Sequence, residues 1–120
     1  MELTRSEMEI MDVLWDAAMP LSRADLLDRS EQKCLKDSSV HILLNGLLSK
    51  GAISEAGFVK RSKTYGRTFL PTLTREEYFA QLVFSYRCKP DPLKLFKAML
   101  KSSHLDVEQK NQIKQHILEN

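Results

Sequence analysis

The chain has 120 residues, 42% of them hydrophobic and 28% charged, with a formal net charge of +2. That describes a soluble globular protein of one ordinary domain, or of one small domain with a short helical extension. No apolar run approaches the ~20 residues needed to span a bilayer, and MELTRSEMEI lacks the basic-then-apolar order of a secretory signal, so a cytoplasmic protein without membrane insertion is expected.

The first helix is announced by Leu3-Thr4-x-x-Glu7-Met8, a capping box in which Thr4 caps, Glu7 reaches back and Leu3 can staple to Met8. It is predicted over residues 4–18, with Pro20 helping to end it. Leu21-Ser22-x-x-Asp25-Leu26 is a close variant that opens a second helix over 22–30. In the third, Val40, Leu43, Leu44, Leu47 and Leu48 form a complete apolar stripe for one helix face. Asp37 or Ser38 is expected to cap it, and Gly51 to supply its left-handed stop. The opposite face reads Ser38, His41, Ile42, Asn45, Gly46 and Ser49.

After Gly51 the pattern becomes β-prone. Residues 53–59 and 64–70 flank Lys60-Arg61-Ser62-Lys63 and read as a hairpin with a basic tip. A third capping box, Leu73-Thr74-x-x-Glu77-Tyr78, opens a helix over 74–87. Pro90 and Pro92 then break the chain before a helix over 92–102, and Asp106-x-x-Gln109 opens the last one.

Charge follows the same division. Residues 1–30 carry three basic side chains (Arg5, Arg23, Arg29) against seven acidic ones, whereas 33–75 carry eight basic ones against two acidic, Asp37 and Glu55. A basic segment of this kind suits phosphate. Three close helices, a hairpin and further helices are the layout of a mainly α protein: a winged helix-turn-helix over 1–72, with a C-terminal helical dimerisation region over 73–120. The third helix would enter the major groove, offering Ser38, Ser39, His41, Ile42 and Asn45. An asparagine at its centre can pair with adenine through two hydrogen bonds. Lys60, Arg61 and Lys63 would hold phosphates.

Leu93, Leu95, Phe96, Met99, Leu100, Ile113, Ile117 and Leu118 supply more apolar surface than two short helices can hide, so a homodimer is expected. Trp15, at helical spacing from Met8 and Met11, reads as core. Gly46 costs about 1 kcal/mol of helix stability relative to alanine, which hints at close approach by a backbone, of DNA or of a neighbouring helix, with simple drift as the equal alternative.

Enzymes are the rival class, and nothing supports them. His41, His104 and His116 lie on separate helices, and there is no phosphate loop, nucleophile elbow or His-Glu-x-x-His. Catalytic residues, metals and cofactors are therefore not expected. Cys34 and Cys88 stand outside any metal spacing and read as free thiols. A winged helix that has lost specific DNA binding and recognises proteins instead is the alternative reading.

The sequence also resembles the BlaI/MecI penicillinase-repressor family. The resemblance runs through Leu3-Thr4-x-Ser6-Glu7-x-Glu9-Ile10-Met11-x-Val13-Leu14-Trp15, Val40-x-x-Leu43-Leu44-Asn45-x-Leu47-x-x-Lys50-Gly51 and Phe69-x-Pro71-x-Leu73-Thr74-Arg75-Glu76-Glu77-Tyr78. It implies a homodimeric repressor on an inverted-repeat operator, with the C-terminal helices pairing the subunits. For penicillinase-type members it also implies relief of repression by proteolysis under a membrane sensor, which makes a sensor protease a candidate partner. The chain departs from the pattern in several places. His41 and Ile42 stand where Lys or Arg and Thr are typical, and Gly46 where Arg is common. Lys97-Ala98-Met99-Leu100 lacks the Asn-Phe pair of the cleavage segment, and the cysteine cluster of copper-responsive relatives is absent.

Overall fold

The computed structural model describes residues 1–30, 36–61 and 64–120. Two compact units are present, Met1–Ser85 and Tyr86–Asn120. The first holds α1 (Arg5–Ala17), β1 (Leu21–Ser22), α2 (Arg23–Arg29), α3 (Asp37–Lys50), β2 (Ile53–Arg61), β3 (Thr64–Pro71) and α4 (Arg75–Ser85). The second holds α5 (Pro92–Ser102) and α6 (Val107–Glu119).

The expected caps form. Thr4 and Glu7 make a reciprocal box at α1, and Ser22 and Asp25 make one at α2. At α4, Thr74 N donates to Glu77 Oε1 at 2.9 Å and Glu77 N donates to Thr74 Oγ1 at 3.1 Å. These bonds hold the Glu77 carboxyl below its ordinary value, backbone bond first. Ala18, in the left-handed conformation, closes α1 just before Pro20. Gly51, at φ 75°, closes α3, where glycine meets no Cβ penalty. The start of α3 differs from expectation. Lys36 occupies the cap position and makes no side-chain cap bond, so neither Asp37 nor Ser38 is the cap.

The hairpin is antiparallel with Phe58 opposite Arg67 and Arg61 opposite Thr64, and a register shift lies between Glu55 and Gly57. A third strand joins it that periodicity does not announce: β1 pairs Leu21 with Phe69 and Ser22 with Thr68, giving the order β1-β3-β2. Ser22 thus sits in the sheet and caps α2 at once. The core gathers Ile10, Met11 and Leu14 from α1, Leu21 and Leu26, Val40, Leu44 and Leu47 from α3, and Phe69 from β3. Each such side chain, fully buried, contributes about 1.5–3 kcal/mol.

The helix following the wing belongs to this unit. Tyr78 of α4 is buried and its hydroxyl accepts from Leu3 N at 3.1 Å. Trp15 Nε1 donates to Leu73 O at 2.9 Å, and the Arg75 guanidinium lies 5.3 Å from the Trp15 ring centroid. Arg75 also pairs with Asp16 at 2.9 Å, which holds its guanidinium above the ordinary value. The compact N-terminal unit therefore extends past residue 72, because α4 has an aromatic residue to bury and α1 has the surface to receive it. Trp15 is half-buried at this seam, packed against the core.

In the second unit, Asp91 caps α5 by accepting from Leu93 N at 2.9 Å, and Pro92 stands in its first turn. Asp106 and Gln109 form the capping box of α6. No residue of either helix is buried.

Candidate nucleic-acid interface

The leucine stripe decides how α3 sits. Val40, Leu44 and Leu47 are buried, and Leu43 and Leu48 pack against the same core. That leaves Ser38, Ser39, His41, Ile42, Asn45 and Ser49 exposed to solvent. Ile42 is 71% exposed, a bare apolar side chain in the middle of a polar face. His41 and Asn45 are one turn apart, and Asn45 Nδ2 lies 3.5 Å from His41 Nε2. At the helix start the backbone N–H groups of Ser39 and Val40 are bonded to Lys36 O. The first turn carries two exposed hydroxyls and the exposed cation of Lys36.

Gly46 is not part of the exposed face. It is half-buried, and a Cβ built on it would lie 3.1 Å from Glu7 Oε2. One residue's 100° step moves it from the Asn45 side to the edge that packs on α1. The close neighbour of this mid-helix glycine is therefore the side-chain carboxylate of Glu7 on α1, not a backbone.

Glu7 is the anchor of that approach. It is only 4% exposed, and its Oε1 accepts from Thr4 N at 2.9 Å and from Lys50 Nζ at 2.5 Å. Burial pushes this carboxyl up, but the Lys50 ammonium and the Thr4 bonds outweigh it, so the group stays ionised below its ordinary value. Lys50 Nζ also donates to Glu2 O at 3.1 Å. The last turn of α3 is thus tied to α1, and a cation at a helix C-terminus is favourable in itself. The local sequence announces Glu7 only as a cap. Its second role was invisible because its partner lies 43 positions away.

We expect Gly46→Ala to gain less than the roughly 1 kcal/mol that helix propensity alone would supply. The new methyl would press on a carboxylate held by two bonds. Thermal unfolding checks this, and a full gain would show that Glu7 yields freely.

On the wing, Lys60 and Arg61 are the last two residues of β2, opposite Tyr65 and Thr64. Lys63 lies outside the described residues. Nearer the core, Arg67 Nη1 meets Glu55 Oε1 at 2.6 Å, and the guanidinium stands 5.5 Å from the Phe69 centroid. Phe58 is 70% exposed. Among the described residues there is no group of three or more His, Cys, Asp or Glu able to hold a metal, and no helix is long and apolar enough to cross a membrane. Cys88 is a free, exposed thiol, and Cys34 lies outside the described residues.

A helix seated by its leucines with a polar face turned outward, followed by a β wing, defines a DNA-binding protein of the winged-helix class. The penicillinase repressor family model matches residues 3–119, and the chain belongs to that family, the BlaI/MecI repressors. These are DNA-binding transcriptional repressors, not enzymes. No curated protein matches the chain.

Proposed function

We propose that the protein is a homodimeric repressor that reads an inverted-repeat operator in duplex DNA, acting in the cytoplasm. The observation that carries this reading is the orientation of α3, with Val40, Leu44 and Leu47 buried and His41, Ile42 and Asn45 exposed on the other side. Laid in a major groove, that face brings Asn45 to a base edge, where an amide matches adenine N6 and N7. Ile42 is suited to a thymine methyl. The first turn of α3, with the Ser38 and Ser39 hydroxyls and the Lys36 cation, approaches a phosphate or a base edge. Lys60, Arg61 and Lys63 hold phosphates from the wing.

The second unit supplies the pairing. Leu93, Phe96, Met99, Ile117 and Leu118 are exposed, and Leu95, Leu100 and Ile113 are only half-buried. A second copy covers them, and two joined reading helices match a palindrome. A sensor protease that ends repression would act on this unit. Lys97-Ala98-Met99-Leu100, on α5, offers it a segment without Asn-Phe.

The test is selection of bound duplexes from a random pool, followed by salt titration on the selected sequence. A palindromic consensus is expected, with affinity falling steeply as salt rises. Neutralising Lys60, Arg61 and Lys63 together should weaken selected and random DNA alike, and lower the salt slope by about one unit per lost contact. An unchanged slope with an altered consensus would place those residues on bases instead.

A further inference from the structure

We infer that His41 is a positioning residue for Asn45: it takes one hydrogen of the Asn45 amide and so fixes which way the amide faces the DNA. The inference rests on the proposed reading of Asn45 as a base contact.

Helix geometry places the two residues together. Positions four apart on a helix are surface neighbours, with about 5–6 Å between their Cβ atoms. Both side chains are exposed, and Asn45 Nδ2 lies 3.5 Å from His41 Nε2. In the tautomer that carries its ring proton on Nδ1, Nε2 is an acceptor and the Asn45 amide N–H donates to it.

The consequence lies in the hydrogens that remain. An asparagine amide has two on Nδ2, one on the same side as Oδ1 and one on the far side. Two-point pairing with adenine uses Oδ1, which accepts from N6, and the near hydrogen, which goes to N7. The far hydrogen takes no part, and it is the one that suits His41. Turning the amide over would set Oδ1 against the Nε2 lone pair. It would also offer donors where adenine presents one of its own. His41 therefore selects the orientation that fits adenine, without touching a base. Sequence position alone offers His41 to the major groove and does not show its link to Asn45.

The experiment uses the full chain, a duplex selected from the random pool, and its variants at the adenine pair read by Asn45. The readout is the ratio of affinities for adenine over the other bases. Asn45→Ala should erase a preference of about tenfold, the usual scale of a two-point base contact. His41→Leu, which cannot accept, should cut the preference to about threefold or less, with the melting temperature unchanged because the site is exposed. His41→Gln keeps an acceptor within reach of residue 45 and should retain the preference. His41→Lys brings a cation but no acceptor. It should bind random DNA more tightly while losing the preference as His41→Leu does.

If Asn45→Ala erases the preference and His41→Leu leaves it whole, the positioning role is wrong and the base contact stands. If His41→Gln loses as much as His41→Leu, His41 reads a base itself and the inference is overturned. If Asn45→Ala changes nothing, the reading of Asn45 fails and the inference goes with it.

Discussion

A chain ended at Arg87 is expected to remain folded, to sediment as a monomer, and to bind the selected operator about 10²–10⁴-fold more weakly than the full chain. The truncation keeps the whole first unit, Met1–Ser85, with its buried core and the bonds that seat α4. What it removes is the apolar surface that α5 and α6 leave exposed in the single chain. Leu93 is 60% exposed and Leu118 82% exposed, and α5 and α6 bury no residue. Burying a side chain of this kind is worth about 1.5–3 kcal/mol, so a handful of them at a two-fold interface suffices for association. Loss of pairing leaves each reading helix with its own few base pairs and no linked neighbour, which is where the drop in affinity arises. Sedimentation and operator titration of both chains decide the matter. A full-length monomer at micromolar concentration, with the same affinity as the truncated chain, would refute the dimer.

The second large effect is expected at Glu7. Glu7→Ala should destabilise the protein by about 3 kcal/mol, the lower end for removing one partner of a buried ion pair. The lower end applies because Lys50, at 35% side-chain exposure, can turn to water once its anion is gone. In a unit of this size such a loss lowers the melting temperature by more than about 10 °C. Glu7→Gln keeps a capping-box acceptor for Thr4 N and loses only the charge, so it should cost less. Acidity separates the two contributions. The folded-state carboxyl lies below its ordinary value, so its stabilisation is present above the unfolded-state value, about 4.3, and is lost as pH falls through the folded one. The gap between the native protein and Glu7→Gln should therefore be widest near neutrality and narrow below about pH 4. A gap that stays constant into acid would remove Glu7 ionisation from the account.

Most of the architecture was legible because its signals are local. The boxes at Thr4, Ser22, Thr74 and Asp106 each satisfy backbone N–H groups within three residues, so the helix starts can be read directly. The leucine stripe of α3 did more. Once Val40, Leu44 and Leu47 face the core, the opposite residues must face out, and the candidate reading face follows. What escaped depends on partners distant in sequence. Strand β1 has two residues and no periodicity, and it exists only because Phe69 and Thr68 present an open edge. A helical wheel places Gly46 outward, since it cannot see Glu7. The seating of α4 turns on a hydroxyl that meets a backbone N–H 75 positions earlier.

The seam between α1 and α4 also carries the chain's single tryptophan. Trp15 has its indole N–H on the Leu73 carbonyl and a guanidinium over its ring, so its emission is sensitive to any shift of α4 on α1. The proposed reading helix α3 carries no Trp, Tyr or Phe from Asp37 to Lys50. Intrinsic fluorescence is therefore blind to contact at the bases themselves. A change in its colour or intensity on adding operator would be an optical record of strain passing through the core, from α3, the proposed reading helix, to α4.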